Sequence, residues 1–222
     1  MNTLTKFVLG KMGALRPAPS LGDAPREIAL PPPLRSSVVP LVTALASRRS
    51  ERRFASTPLP TAVLSELLWA ADGLNREGHG RTAPSALDAH DVVVYAALRE
   101  GAYRYDPPEH GLRLVAAADV RQLTGYQDFV DDAPLDLVYV HRENPLSAVG
   151  VLQRTPYAYA SAGAIAQNVY LFCAAHGLGC VLRAWIDREA VAQALGLGHD
   201  EHVLLSQTVG YPLDAPGPID DR

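Results

Sequence analysis

The twenty residues from Tyr157 to His176, YAYASAGAIAQNVYLFCAAH, carry no aspartate, glutamate, lysine or arginine, are rich in alanine, and stop at Gly177. A helix that is apolar all round has to be packed on every side, so this segment predicts a central helix that the rest of the chain must cover. Its polar side chains Gln167 and Asn168 then need hydrogen-bond partners, from backbone or from a ligand.

The other segments supply both helices and strands. Leu41 to Arg48 reads as a short helix. Pro60 to Ala71 reads as an amphipathic one, with Val63, Leu64, Leu67, Leu68 and Ala71 on one face and Asp72-Gly73 as its stop. Val92 to Arg99, the turn Glu100-Gly101 and Ala102 to Tyr105 predict a hairpin. Ala118 to Thr124 predicts a brief helix ended by Gly125, and Leu135 to His141 a buried strand. Cys180 to Trp185 reads as a strand, Asp187 as the cap of a helix running to Leu195, and Val203 to Val209 as a final strand. The class is α+β, with a central, mainly antiparallel sheet of at least four strands flanked by helices. No G-x-G-x-x-G occurs, and the order of elements is not a βαβ repeat, which excludes a Rossmann dinucleotide domain. Prolines crowd residues 17–40, including Pro31-Pro32-Pro33. Residues 1–40 are therefore expected as an extended Pro-rich arm, either a linker or a strap over a partner subunit. Residues 41–212 form the folded domain and 213–222 a flexible tail.

Composition removes several function classes. A formal net charge of −4 over 222 residues argues against nucleic-acid binding. No apolar run reaches the roughly 18–20 residues of a membrane span. The apolar stretch Phe7 to Gly10 between Lys6 and Lys11 is shorter than the roughly 7–15 residues of a secretory signal, so the expected location is cytoplasmic. Cys173 and Cys180 read as core cysteines. His199 and His202 lack the convergent ligands of a metal site, and no metal is expected.

Four clusters could carry chemistry. Arg48-Arg49-Ser50-Glu51-Arg52-Arg53 places four arginines within six residues of an otherwise mildly acidic chain. Guanidinium forks and a serine hydroxyl match the oxygens of a phosphate or anionic ring, although a solvated basic loop has the same composition. The loop from Asn75-Arg76 to Arg81-Thr82-Ala83-Pro84-Ser85-Ala86 has the small residues that let backbone approach a ligand. Ser161 to Asn168 lies on the apolar helix. In Leu182-Arg183-Ala184-Trp185-Ile186-Asp187, Arg183 interrupts an apolar strand and needs either a ligand or a partner carboxylate. There is no G-x-S-x-G elbow around Ser85.

In this order, RRSERRF (48–54), LSELLWAADGLNREGHGRTAPSA (64–86), GYQDFVDDAPLDLVYV (125–140), AGAIAQNVYLFCAAHGLGCVLRAWID (162–187) and SQTVGYP (206–212) resemble the nitroreductase family of flavin enzymes, and within it the SagB-type dehydrogenase branch. The resemblance spans roughly residues 40 to 212. It implies a homodimer with FMN at the subunit interface, NADH or NADPH as electron donor, and a small-molecule acceptor, nitroaromatic or quinone-like. It implies that Arg48, Arg49, Ser50 and Arg52 hold the FMN phosphate, ribityl chain and pyrimidine edge. Pro84, Ser85 and Ala86, contributed by the other subunit, would lie along the isoalloxazine. The backbone of Leu182, Arg183 and Ala184 would face its reactive nitrogen. No protein nucleophile or acid–base residue is required, because the cofactor carries the redox step. Oxidation of an azoline-like ring and a non-catalytic flavin-binding scaffold are the alternatives. The chain departs from the family in ending GYPLDAPGPIDDR, acidic where many members carry a basic pair at the phosphate, and in having Arg183 near the flavin edge.

Overall fold

The strand Leu135–Arg142 shows how the sequence divides the molecule. Leu135, Leu137 and Tyr139 enter one apolar cluster while Val138 and Val140 enter another, so both faces of the same strand are buried. Alternation of this kind needs a cover on each side of the sheet. The structure, a computed structural model, describes residues 1–34, 39–76, 80–143 and 150–214.

In chain order the elements are α1 (Thr3–Lys11), β1 (Ala18–Pro19), β2 (Glu27–Ala29), α2 (Leu41–Ser47), α3 (Thr61–Asp72), β3 (Val92–Ala97), β4 (Ala102–Asp106), β5 (Gly111–Ala116), β6 (Ala118–Asp119), β7 (Leu135–Arg142), α4 (Val151–Ala175), β8 (Gly179–Arg183), α5 (Arg188–Leu195) and β9 (Glu201–Gly210). Seven strands form one antiparallel sheet in the order β2-β5-β4-β3-β7-β9-β8, which places β8 at an edge. Leu64, Leu67 and Leu68 of α3 and Ala162, Ile165 and Val169 of α4 cover one face. Val191 and Leu195 of α5, with Phe7 of α1, cover the other. The expected antiparallel α+β architecture is the one observed.

Three local expectations need correction. Residues 1–40 are not one extended arm. The Asn2 side chain accepts the Thr5 N–H at 2.9 Å and starts α1, and β1 and β2 pair with β6 and β5. Lys6 of α1 is fully buried, donating to the carbonyls of Gly125 and Gln127 and pairing with Asp131. Residues 118–124 are a helix only in part: Ala118–Asp119 pairs with β1, and a short 3-10 helix follows at Arg121–Leu123. Arg121 is the cause, because its guanidinium reaches back to Asp119 at 2.6 and 2.9 Å and so tightens the turn.

The central helix is longer than expected, starting at Val151 with Pro156 inside it. A proline there removes the hydrogen bond to the Leu152 carbonyl, but Pro156 is exposed and water can satisfy that oxygen. Nor is the helix packed on every side within one chain. Ala160 and Gln167 are exposed, as are Tyr157 at 42% and Tyr159 at 38%, while Ala158, Ala162, Ala166 and Val169 are buried. Gln167 is thus on an uncovered face and needs no buried partner. Of the tail, residues 215–222 lie outside the described residues.

Candidate functional site

Arg48 caps α2, and there the backbone leaves the helix for an extended path, with φ −55° and ψ 124°. That path runs beside the edge strand. Ser50 bridges Cys180 in parallel and the Glu51 N–H donates to the Cys180 carbonyl at 3.0 Å. Further on, Ala55 N–H donates to Tyr211 and Leu213 N–H to Arg53, so the segment is wedged between β8 and the chain leaving β9.

An extended segment sends alternate side chains to opposite sides. Arg49, Glu51 and Arg53 line a cavity of about 560 Å³ together with Cys173, Cys180 and Asp214. On that side Arg49 pairs with Glu51 at 3.6 Å and Arg53 pairs with Asp214. Arg48, Ser50 and Arg52 do not line this cavity, and among the described residues neither the Arg48 nor the Arg52 guanidinium pairs with a carboxylate, although the Arg52 N–H donates to Glu51 Oε1 at 2.9 Å. Among the described residues the four arginines are therefore of two kinds: the guanidinium groups of 49 and 53 have a carboxylate partner, those of 48 and 52 do not. Of the acidic C-terminal end, Asp214 is the described carboxylate, and it pairs with Arg53.

Tyr170 of α4 joins this segment to the strand end. Its hydroxyl lies 3.0 Å from Ser50 Oγ and accepts the Leu182 N–H at 2.9 Å, and the Arg48 guanidinium sits over its ring at 5.2 Å. Charge and motif spacing do not mark Tyr170 out. The available signal was a tyrosine in a buried alanine-rich run, whose hydroxyl needs a partner.

At the end of β8, residues of one parity turn their backbone groups away from β9. The Cys180 carbonyl and the Leu182 N–H point outward and are taken by Glu51 and Tyr170. The same parity assigns the next outward N–H to Ala184, which is exposed. The strand ends at Arg183, short of Trp185, whose ring is 47% exposed and leans on Phe7 and Tyr126 at 5.6 and 5.4 Å.

Arg183 points into the core, and its guanidinium is not available to a ligand. It donates to Asp136 Oδ1 at 2.7 Å, to the Thr124 carbonyl at 2.5 Å and to Thr208 Oγ1 at 2.7 Å. Burial pushes the Asp136 carboxyl up and the guanidinium down, and each charge opposes the other's shift. Of the two explanations for this arginine, the partner carboxylate is the one found.

Pro84, Ser85 and Ala86 lie elsewhere. Ser85 Oγ accepts the His90 N–H at 3.1 Å, and the turn that follows holds Leu87, Asp88 and His90 at positive φ. Through Ala89 and His90 this loop borders a second cavity, of about 810 Å³, which none of residues 48–52 or 182–184 lines. Asp72 lines it too. Burial lifts its carboxyl to about 7 against the opposing charge of Arg81, 3.1 Å away. Residues 77–79 of the preceding loop lie outside the described residues.

The Nitroreductase family profile matches residues 45–211, the span holding both the arginine segment and the strand end. The chain belongs to the nitroreductase family. A nitroreductase-family protein of Methanocaldococcus jannaschii is 30% identical over 205 residues, covering 87% of this chain and all of that one. Among solved structures, a nitroreductase-family protein of Ralstonia eutropha JMP134 is similar at 48% identity and a TM-score of 0.86, over 90% of this chain and 96% of that chain. The NADPH:FMN oxidoreductase of Vibrio harveyi shares the fold at 20% identity and a TM-score of 0.59, over 82% and 72% of the two chains. Membership of this family points to an oxidoreductase. Among the described residues no helix is long and apolar enough to cross a membrane.

Proposed function

We propose that this protein is an FMN-dependent oxidoreductase that takes electrons from NADH or NADPH and passes them to a small acceptor such as a quinone or nitroaromatic. The observation that carries the reading is the division of the arginine cluster. Among the described residues no carboxylate pairs with the guanidinium of Arg48 or Arg52, which flank Ser50 in the chain, while Glu51 and Asp214 serve Arg49 and Arg53. That donor set suits a phosphate and the polar edge of a flavin.

In this reading Arg48 and Arg52 bind the phosphate, and Ser50 donates to the cofactor. Arg49 contributes through its backbone, because its side chain faces Glu51. At the strand end, the Ala184 N–H is the group left free for the ring, with Leu182 and Arg183 fixing its position. FMN, when bound, supplies the two-electron chemistry; the chain binds, orients and shields it. Trp185 borders the strand end and narrows the approach of an acceptor.

One chain does not complete such a site. The uncovered face of α4 and the exposed Leu41, Val42 and Leu45 of α2 form an apolar surface that a second copy would cover, which supports a homodimer. Pro84, Ser85 and Ala86 would then reach the flavin of the partner subunit.

The test is a visible spectrum of the purified protein, followed by anaerobic addition of NADH and then NADPH. Flavin bands that bleach with either donor are expected. A colourless protein that takes up no added FMN overturns the reading. A yellow protein that neither donor bleaches overturns its nicotinamide part and favours a dehydrogenase reduced by its own substrate, such as an azoline-like ring.

A further inference from the structure

Tyr170, Ser50 and Leu182 form a hydrogen-bonded chain whose direction can be worked out. The phenolic oxygen accepts the Leu182 N–H at 2.9 Å, and an amide N–H can only donate. The phenol's own proton therefore has to go elsewhere. Ser50 Oγ, 3.0 Å away, is the acceptor in reach among the described residues. If Ser50 donated to Tyr170 instead, the phenolic proton would face no acceptor in a half-buried position, and such unmatched donors are disfavoured. With Tyr170 donating, every proton in the chain has a partner except that of Ser50. No other partner of the Ser50 hydroxyl occurs among the described residues, and the side chain shares its side of the segment with Arg48 and Arg52.

We infer that Tyr170 is a positioning residue that fixes Ser50 as an outward hydrogen-bond donor, so that the site favours a ligand atom able to accept a hydrogen bond, as in a phosphate, carboxylate or ring carbonyl. Tyr170 also ties the arginine segment to the strand end, since one hydroxyl group holds both Ser50 and Leu182. The Arg48 guanidinium, resting on the Tyr170 ring at 5.2 Å, is set by the same side chain. Two parts of the site, the arginine segment and the strand end, more than a hundred residues apart in the chain, thus share one anchor. The inference rests on the FMN reading for the identity of the ligand, while the direction of the hydrogen bonds stands on the contacts alone.

The experiment is a double-mutant cycle on FMN binding. Apoprotein of the wild type, Tyr170→Phe, Ser50→Ala and the double variant is titrated with FMN and followed by quenching of flavin fluorescence, after circular dichroism has shown each to be folded. Each single substitution is expected to weaken FMN about tenfold, as loss of one hydrogen bond to a charged or strongly polar oxygen does. The double variant is expected to bind clearly tighter than the product of the two single effects predicts, because the part of the Tyr170 effect that runs through the Ser50 proton is lost only once and only the part carried by Leu182 adds. Ser50→Thr, which keeps a hydroxyl, is expected to keep the full sensitivity to Tyr170→Phe that Ser50→Ala reduces. A tyrosine that only packs would weaken binding by the same factor in all three Ser50 backgrounds, and that additive result overturns the inference while leaving the flavin reading intact. Should Tyr170→Phe fail to fold, Ser50→Ala alone decides: binding within twofold of wild type means the Ser50 proton was turned inward, and the inference is wrong. Wild-type apoprotein that takes up no FMN refutes the flavin reading and this inference with it.

Discussion

Asp136 and Arg183 are the pair on which the edge of the sheet depends, and replacing Asp136 by asparagine measures how much. The pair is almost fully out of water, with side-chain exposures of 0% and 3%. Asp136 Oδ1 receives Arg183 Nη2 at 2.7 Å and Thr208 Oγ1 at 2.5 Å. Two donors converging on one oxygen favour the carboxylate, even though burial pushes its pKa up. Removing one partner of a buried ion pair costs about 3–5 kcal/mol because the other charge is left uncompensated. The asparagine carbonyl still accepts a hydrogen bond, and Thr124 still accepts from the guanidinium, so the lower end applies, about 3 kcal/mol. At roughly 2–4 °C per kcal/mol for a chain of this size, the midpoint of thermal unfolding should fall by about 6–12 °C. Urea unfolding at one fixed protein concentration, with the slope unchanged, gives the free energy directly. Asp136→Leu combined with Arg183→Met should recover most of the loss, since an apolar pair of similar volume replaces both charges. If Asp136→Asn lies within about 1 kcal/mol of wild type, the carboxyl is already protonated in the folded protein and the ion-pair argument is wrong.

The remaining predictions are shorter. Replacing both Arg48 and Arg52 by alanine should empty the flavin site while leaving the fold; wild-type flavin content in the purified variant would falsify the phosphate assignment. A methyl at Gly125 would overlap Nη1 of Arg183, so Gly125→Ala should cost about 1–3 kcal/mol in urea unfolding, and an unchanged midpoint would mean that the arginine has room to move. Ala160→Glu, on the uncovered face of α4, should convert a dimer to folded single chains in light scattering; a wild type that is itself monomeric, or a variant that stays dimeric, refutes that use of the face. For Asp72 the folded pKa of about 7 lies above the unfolded value, so the folded state binds the extra proton. Stability should therefore fall as pH rises from about 4 to about 7, by at most about 1.4 kcal/mol per pH unit, and Asp72→Asn should flatten that slope. Parallel pH profiles for the two proteins would show that Asp72 ionises normally.

Much of the fold was legible because its signals are local. The alternation in LDLVYVH, the Asp187 cap whose side chain accepts the Ala190 N–H, and the stop at Gly73 each act within a few residues. What escaped was set by distant partners. Gly111–Ala116, with exposed Arg113 and Val115 between buried or half-buried neighbours, is a strand because β2 and β4 flank it. The amino-terminal helix is held by a lysine whose acceptors stand more than a hundred residues away. The arginine cluster was legible as a cluster, but charge counting could not divide it. That division needed the extended backbone after Arg48 and the two carboxylates on one side of it. Arg183 was open between ligand and carboxylate in the sequence because Asp136 lies 47 residues earlier, and only the register of β7, β9 and β8 brings them together.

The same register explains how a core ion pair bears on a surface site. Asp136, Thr208 and Val181 are aligned across β7, β9 and β8, and Arg183, two residues on from Val181 and in register with Ser206, reaches diagonally to Asp136 and Thr208. With its guanidinium turned inward on Asp136, Thr124 and Thr208, the arginine holds the last residue of β8 rigidly, and the following outward N–H belongs to Ala184. Tyr170 holds Leu182 from the other side. The strand end is thus clamped from the core and from α4, and the clamps act on neighbouring residues. A ligand hydrogen-bonded to the Ala184 N–H would meet a donor that cannot follow it. That is the arrangement an enzyme needs when the electron count of the bound group changes and the protein has to stay still. On the proposed flavin reading, Arg183 would leave the recognition chemistry unchanged and stiffen the backbone that performs it.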